Sequence, residues 1–260
     1  MIPIRCRIIC FSPTGTTRKI VESIAAGTGL PVSFTDITLP ENRNTAVSFS
    51  PEELIILGAP VYYGRVQKHA VEYFSTLRAD GQPAILVVNY GNRHYDDALL
   101  ELFTIAGTQG FHPVAAGAFT SEHSFSTKEF PMAVGRPDGS DIEKAFTFGE
   151  RAMKCFGPDM AGLSHVPGTN PYKAYPDFHR APVSKENCTL CGLCARVCPT
   201  GAICLTEKFV ETDEQQCIVC QACVRFCPEE ARVDIAPGAT ETRNHLKPLV
   251  AARKEPEFFF

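Results

Sequence analysis

Two short stretches of the chain carry cysteines at a spacing suited to metal–sulfur chemistry. CTLCGLCARVCP runs from Cys188 to Pro199 and CIVCQACVRFCP from Cys217 to Pro228, so positions 188 and 217 start two copies 29 residues apart. Each copy reads C-x-x-C-x-x-C-x-x-x-C-P. That spacing lets three thiolates converge on one cubane of iron and sulfide while the fourth is carried to a neighbouring cubane. Two 4Fe-4S clusters with crossed ligation are therefore expected, one on Cys188, Cys191, Cys194 and Cys227, the other on Cys217, Cys220, Cys223 and Cys198. Pro199 and Pro228 turn the chain after each fourth ligand. Paired C-x-x-C elements also build zinc ribbons, but those need four ligands per ion and have no use for a duplicated cysteine-proline ending. Small residues at Gly192, Gly201, Ala202 and Ala222 leave room for backbone amides near cluster sulfurs. Ile203, Val210, Ile218 and Val219 would keep water out.

Twelve cysteines in a secreted chain would suggest disulfides. Here the opening MIPIRCRIICFS breaks its apolar run with Arg5 and Arg7, unlike a signal peptide or a membrane span, so a cytoplasmic chain whose cysteines ligate metal is expected. Four cysteines lie outside the two runs. Cys6 and Cys10 share a face of the first strand, Cys155 falls on a helix and Cys204 in the core of the cluster-binding segment. All four read as small buried hydrophobes. The net charge of -4 provides no broad basic field, which argues against a nucleic-acid partner.

A second constellation begins at Ser12-Pro13-Thr14-Gly15-Thr16-Thr17, a hydroxyl-rich turn that opens directly into a helix. Backbone N–H groups at the helix start, the positive end of its dipole and the hydroxyls can together hold a phosphate without a lysine. The alternative is that Ser12 and Thr14 only cap the helix. No G-x-x-x-x-G-K-[ST] element is present, which disfavours nucleoside triphosphate hydrolysis, and no G-x-G-x-x-G element supports direct NAD binding.

The elements that must position these residues follow from hydrophobic patterning. Strands are expected over 5–11, 32–38, 53–59, 83–89 and 112–120, and helices over 16–26, 67–77, 96–106 and 141–156, an alternation that implies a parallel sheet between two helical layers. After the third strand comes Pro60-Val61-Tyr62-Tyr63-Gly64-Arg65, and after the fourth Asn89-Tyr90-Gly91-Asn92-Arg93-His94-Tyr95. From 158 to 183 prolines at 158, 167, 171, 176 and 182 interrupt regular structure and mark a linker. Its Tyr172, Tyr175 and Phe178 are unusual for a flexible tether and suggest packing against a domain. The resulting division is 1–157, a linker over 158–183, a cluster-binding domain over 184–236 and a tail over 237–260, whose Phe258, Phe259 and Phe260 have no assigned role.

The cluster segment resembles bacterial two-cluster ferredoxins, and the TGTT turn resembles the flavodoxin phosphate loop. With PVYYGRV and YGNRHYDDALLEL, the whole chain resembles flavodoxin-ferredoxin fusion proteins of anaerobic prokaryotes. The resemblance implies a five-stranded parallel sheet of order 2-1-3-4-5, with FMN beyond the C-terminal strand edges. Its expected contacts are Ser12, Thr14, Gly15, Thr16, Thr17, Pro60, Val61, Tyr62, Tyr63, Gly64, Asn89, Tyr90, Gly91, Asn92, Arg93 and Tyr95. The tyrosines would flank the ring, and Gly64 and Gly91 would admit its polar edge. Arg65, Arg93 and His94 would add positive charge there, either favouring two-electron reduction, or drawing in an anionic substrate, or merely solvated. His123, in an irregular segment after the fifth strand, is the candidate proton donor. The expected function is electron transfer between the clusters, FMN and redox partner proteins, a low-potential donor and an acceptor enzyme. The alternative is a self-contained oxidoreductase that reduces a small molecule at the flavin.

Overall fold

The computed structural model describes residues 2–157, 161–177 and 179–260; Pro158 and Phe178 lie outside the described residues. In chain order the elements are β1 (Arg5–Cys10), α1 (Thr16–Gly27), β2 (Val32–Asp36), β3 (Glu53–Tyr62), β4 (Arg65–Val66), α2 (Lys68–Phe74), β5 (Pro83–Tyr90), α3 (Ala98–Thr108), β6 (His112–Thr120) and α4 (Gly139–Met153). The cluster-binding half adds β7 (Val183–Ser184), α5 (Leu193–Arg196), β8 (Ile203–Leu205), β9 (Val210–Thr212), α6 (Ala222–Arg225) and β10 (Arg232–Val233). The tail forms α7 (Ala239–Leu249) and β11 (Glu257–Phe259).

The five expected strands pair in parallel in the order β2-β1-β3-β5-β6, as anticipated. Every residue of PAILVVNY in β5 is buried, the continuous apolar run of a strand covered on both faces. Ile20, Val21, Ile24 and Ala25 of α1 bury one side of that helix against one face of the sheet. Leu99, Leu102 and Ala106 of α3 join the core on the other face.

Two features depart from the expected pattern. The PVYYGRV segment is a β-hairpin, with Val61 opposite Val66 and Tyr62 opposite Arg65. Its turn residues Tyr63 and Gly64 have φ of 57° and 82°, the left-handed pair that a two-residue hairpin of this twist requires. A Cβ on Gly64 would fall 2.2 Å from Asp96 Oδ2, so that position is closed to any side chain. The second departure is β11, which pairs antiparallel with β6 and covers what would otherwise be an open sheet edge. Phe258 packs between Phe119 and Phe148, with ring centroids 5.4 and 4.8 Å away.

Residues 161–177 contain no helix or strand yet are tied down. The Asp97 carboxylate accepts from the Thr169 amide (2.9 Å), the Thr169 hydroxyl (2.8 Å) and the Lys173 amide (2.7 Å). Tyr172 and Tyr175 both stack on the Arg65 guanidinium, at 4.8 and 4.7 Å, which explains their presence in a proline-rich stretch. Among the described residues no helix is long and apolar enough to cross a membrane.

The tail contact is testable. Phe258→Ala is expected to destabilise the protein by about 2–3 kcal/mol in chemical denaturation, through the cavity left between Phe119 and Phe148.

Candidate functional site at the junction of the two halves

Beyond the C-terminal ends of β1, β3 and β5 lies a cavity of about 410 Å³, within the ~300–1,000 Å³ range of cofactor sites. The structure brings Thr14, Thr16, Thr17, Pro60, Val61, Tyr62, Tyr63, Asn89, Tyr90, Gly91, Arg93 and His123 to its wall. Helix α1 begins there after Gly15, its N-cap, which supplies no side-chain cap. The buried Asn89 amide lies 3.2 Å from the Thr16 hydroxyl, 3.3 Å from that of Thr17 and 2.7 Å from that of Ser121, fixing the turn to the end of the sheet. A helix start with glycine at its N-cap and three threonines beside it fits a phosphate, and three tyrosines around the adjoining apolar space fit a flat ring system.

Five expected contacts are elsewhere. The Ser12 hydroxyl accepts from the Arg18 amide at 3.0 Å, so for this residue the capping role holds. Gly15 forms the left-handed corner ahead of α1, and Gly64 packs on Asp96; neither lines the cavity. Asn92 turns toward the tail, donating to the Val250 and Ala252 carbonyls, each at 2.8 Å. Tyr95 is buried and donates to Glu257 Oε2 at 2.8 Å. The expected cations are similarly redirected. Arg65 forms a two-pronged contact with Glu101 at 2.9 and 2.6 Å, and His94 stacks on Tyr95 at 4.9 Å. Arg93 reaches the cavity wall, but Asp96 pairs with it and with Lys173. The anticipated excess of positive charge is thus largely neutralised.

His123 does reach the cavity. Gly91 makes that possible, since a Cβ there would stand 2.5 Å from His123 Cδ2. The His123 Nδ1 accepts from the Phe125 amide at 3.1 Å. Burial, reinforced by the Arg93 charge, pushes its pKa down to about 4. Near neutral pH it is a neutral imidazole whose remaining N–H lies on Nε2, not an imidazolium acid.

The cysteine runs enclose two smaller cavities. One is lined by Cys188, Cys191, Cys194 and Cys227, the other by Cys198, Cys217, Cys220 and Cys223. Leu190 and Val219 occupy the same place in the two copies and share left-handed φ of 55° and 53°. The matching short helices α5 and α6 follow. The Ala231 amide donates to Cys227 Sγ at 3.3 Å, a backbone bond to an expected ligand. Among the described residues no three His, Cys, Asp or Glu side chains converge on a single-ion site.

The cavity wall also contains residues that sequence reasoning missed. Ile218 and Val219, set between Cys217 and Cys220, form part of it, and Ile218 also lines the Cys217 cavity. Lys173 and Ala174 come from the linker, and Leu246 and Leu249 from α7. The linker tyrosines hinted at packing, whereas nothing in the tail's sequence pointed to the cavity. Burial pushes the Tyr62 phenol well above its ordinary range, with the nearby Cys220 and Cys217 adding to the effect. Of the cysteines outside the runs, Cys6 and Cys10 are buried as expected, and burial raises the Cys6 thiol to about 12. Cys204 is exposed, contrary to expectation, because β8 turns only Ile203 inward.

A family model described as a flavodoxin domain matches residues 7–98, and one described as a 4Fe-4S binding domain matches residues 181–204. No curated protein matches the chain. Similar solved structures include a flavodoxin from the domain Archaea, 12% identical with a TM-score of 0.38, over 58% of this chain and 96% of that one. Others are a flavodoxin of Streptococcus pneumonia TIGR4 (15%, TM-score 0.41, 58% and 99%) and a WrbA-like flavodoxin from Agrobacterium tumefaciens (17%, TM-score 0.42, 58% and 95%). The chain joins a flavodoxin-like domain to a C-terminal 4Fe-4S motif, the organisation of a flavodoxin-ferredoxin fusion. Together the two matches suggest an electron-transfer flavo-iron-sulfur protein, with FMN implied by the first and at least one 4Fe-4S cluster by the second.

The neutral state of His123 sets a pH dependence. Its folded pKa of about 4 lies below the ordinary 6.5, so the unfolded chain binds the extra proton between those values. The residue's contribution is intact above pH 6.5 and is lost as pH falls through that window, with a limiting slope of ~1.4 kcal/mol per pH unit. Denaturation free energies measured at pH 7 and pH 5 are expected to fall less in His123→Phe than in the wild type; equal falls would show that His123 is not buried as a neutral imidazole.

Proposed function

We propose that the chain is a single-electron relay with three redox sites in the order Cys188 cavity, Cys217 cavity, junction cavity. The clusters would supply one-electron steps, and FMN an exchange of one or two electrons. Thr14, Thr16 and Thr17 would hold the flavin phosphate, with Tyr62, Tyr63 and Tyr90 around the ring. The observation that carries this reading is Ile218, a wall common to the Cys217 cavity and the junction cavity. The gradient of burial supports the same order. Cys191 of the first set is exposed, whereas Cys198, Cys220 and Cys223 of the second are buried. A low-potential donor protein would therefore meet the Cys188 side.

The final acceptor is a redox partner in the favoured reading. A second reading, reduction of a small molecule at the flavin, draws support from the way Leu246 and Leu249 of α7 cover part of the cavity and from the neutral His123 beside it.

Anaerobically isolated protein is expected to contain FMN together with enough iron and sulfide for two cubanes. After rapid photoreduction of the clusters, flavin bleaching should proceed at a rate independent of protein concentration. Cys220→Ser should keep the flavin and the Cys188 cluster but lose that internal step. A rate that rises in proportion to protein concentration would remove the relay. Consumption of metabolites in the absence of any carrier protein would favour the second reading.

A further inference from the structure

Arg232 lines one sulfur-lined cavity and hydrogen-bonds to residues that line the other. It opens β10 opposite Ser184 of β7 and is only 2% exposed. One guanidinium nitrogen, Nη1, donates to the Ser184 hydroxyl at 3.1 Å, and Nη2 donates to the Pro182 carbonyl at 2.6 Å and the Thr212 hydroxyl at 2.8 Å. Pro182 and Thr212 line the cavity of Cys198, Cys217, Cys220 and Cys223, whereas Arg232 itself lines that of Cys188, Cys191, Cys194 and Cys227. Its buried Nε has no acceptor among the described residues.

Other buried arginines of this protein face carboxylates. Arg136 pairs with Asp141, and Arg180 and Arg243 pair with Asp234. The oxygen acceptors of Arg232, on Ser184, Pro182 and Thr212, are neutral. A buried guanidinium without an opposing charge is strongly unfavourable. A cubane with four thiolates is an anion that gains a further negative charge on reduction, and nearby charge and hydrogen bonds to sulfur tune its potential.

We propose that Arg232 is a shared counter-ion of the two clusters, raising the reduction potential of both. It is a positioning and tuning residue, not a ligand. The inference rests on the two-cluster reading above.

Potentiometric titration followed by EPR on anaerobically purified protein tests it. Arg232→Gln removes the charge but keeps a donor. At a fixed ambient potential each cluster is expected to lose about tenfold in its reduced-to-oxidised ratio, a shift of about 59 mV for a one-electron couple. Arg232→Lys retains the charge and should leave both potentials near wild type. Unchanged potentials in fully assembled Arg232→Gln overturn the inference, and a shift confined to one cluster overturns the shared role. If Arg232→Gln does not assemble, wild-type protein grown on arginine labelled with ¹⁵N in the guanidino group decides. Pulsed EPR of its reduced clusters should show a ¹⁵N coupling that Arg232→Lys lacks, and the absence of any such coupling overturns the inference. Iron and sulfide counts separate the two possible failures. Wild-type protein with a single cluster sinks the two-cluster reading and this inference with it, whereas two clusters indifferent to the charge at 232 sink this inference alone.

Discussion

The arrangement of the two halves hangs on Asp234, a carboxylate with no solvent exposure of its side chain. Arg180 from the linker lies 3.3 Å away and Arg243 from α7 3.4 Å away, while the Gln221 amide at the start of α6 donates to it at 3.2 Å. Arg180 also stacks on Phe125 at 4.9 Å, and Arg243 donates to the Phe125 carbonyl. Linker, cluster run, tail helix and the segment after β6 thus meet at one buried charge. Such a group is tolerated only when its partners are in place, and removing one partner typically costs about 3–5 kcal/mol. The apolar cluster of Phe125, Met132, Val219, Leu246 and Val250 closes over the same corner.

That corner gives the junction cavity its walls. The cluster-binding segment reaches the flavodoxin-like domain along the linker, and the chain returns to it through the tail. Arg65 and Asp97 secure the first crossing, while β11, Asn92 and Arg136 secure the second. A single flexible tether would leave Ile218 and Val219 free to sample many positions. Two secured crossings and a buried ionic corner hold them against the cavity, and internal electron transfer requires that kind of fixed proximity.

The differences between expected and observed site residues share one cause. Thr14, Thr16, Tyr62 and Tyr90 have positions set by the strand ends that carry them, so a local pattern was enough to place them. Tyr95, Asn92 and Arg65 sit in the same loops, but each is claimed by a partner far along the chain: Glu257, the Val250 carbonyl and Glu101. Gly64 and Gly91 were expected to make room for a cofactor; their missing side chains make room for Asp96 and His123.

From sequence alone came the features whose cause is local. The cysteine spacing predicts how each run folds around its sulfurs, because ligands two or three residues apart sample few geometries. The alternation of buried strands and amphipathic helices defines the parallel sheet, because period and burial are properties of a short window. Tertiary structure alone decided that the tail completes the sheet edge, that the linker wraps Arg65, that Asp234 locks the halves together and that Ile218 lines both the junction cavity and the Cys217 cavity. These contacts join residues nine to more than a hundred positions apart, and no periodicity in the chain records them.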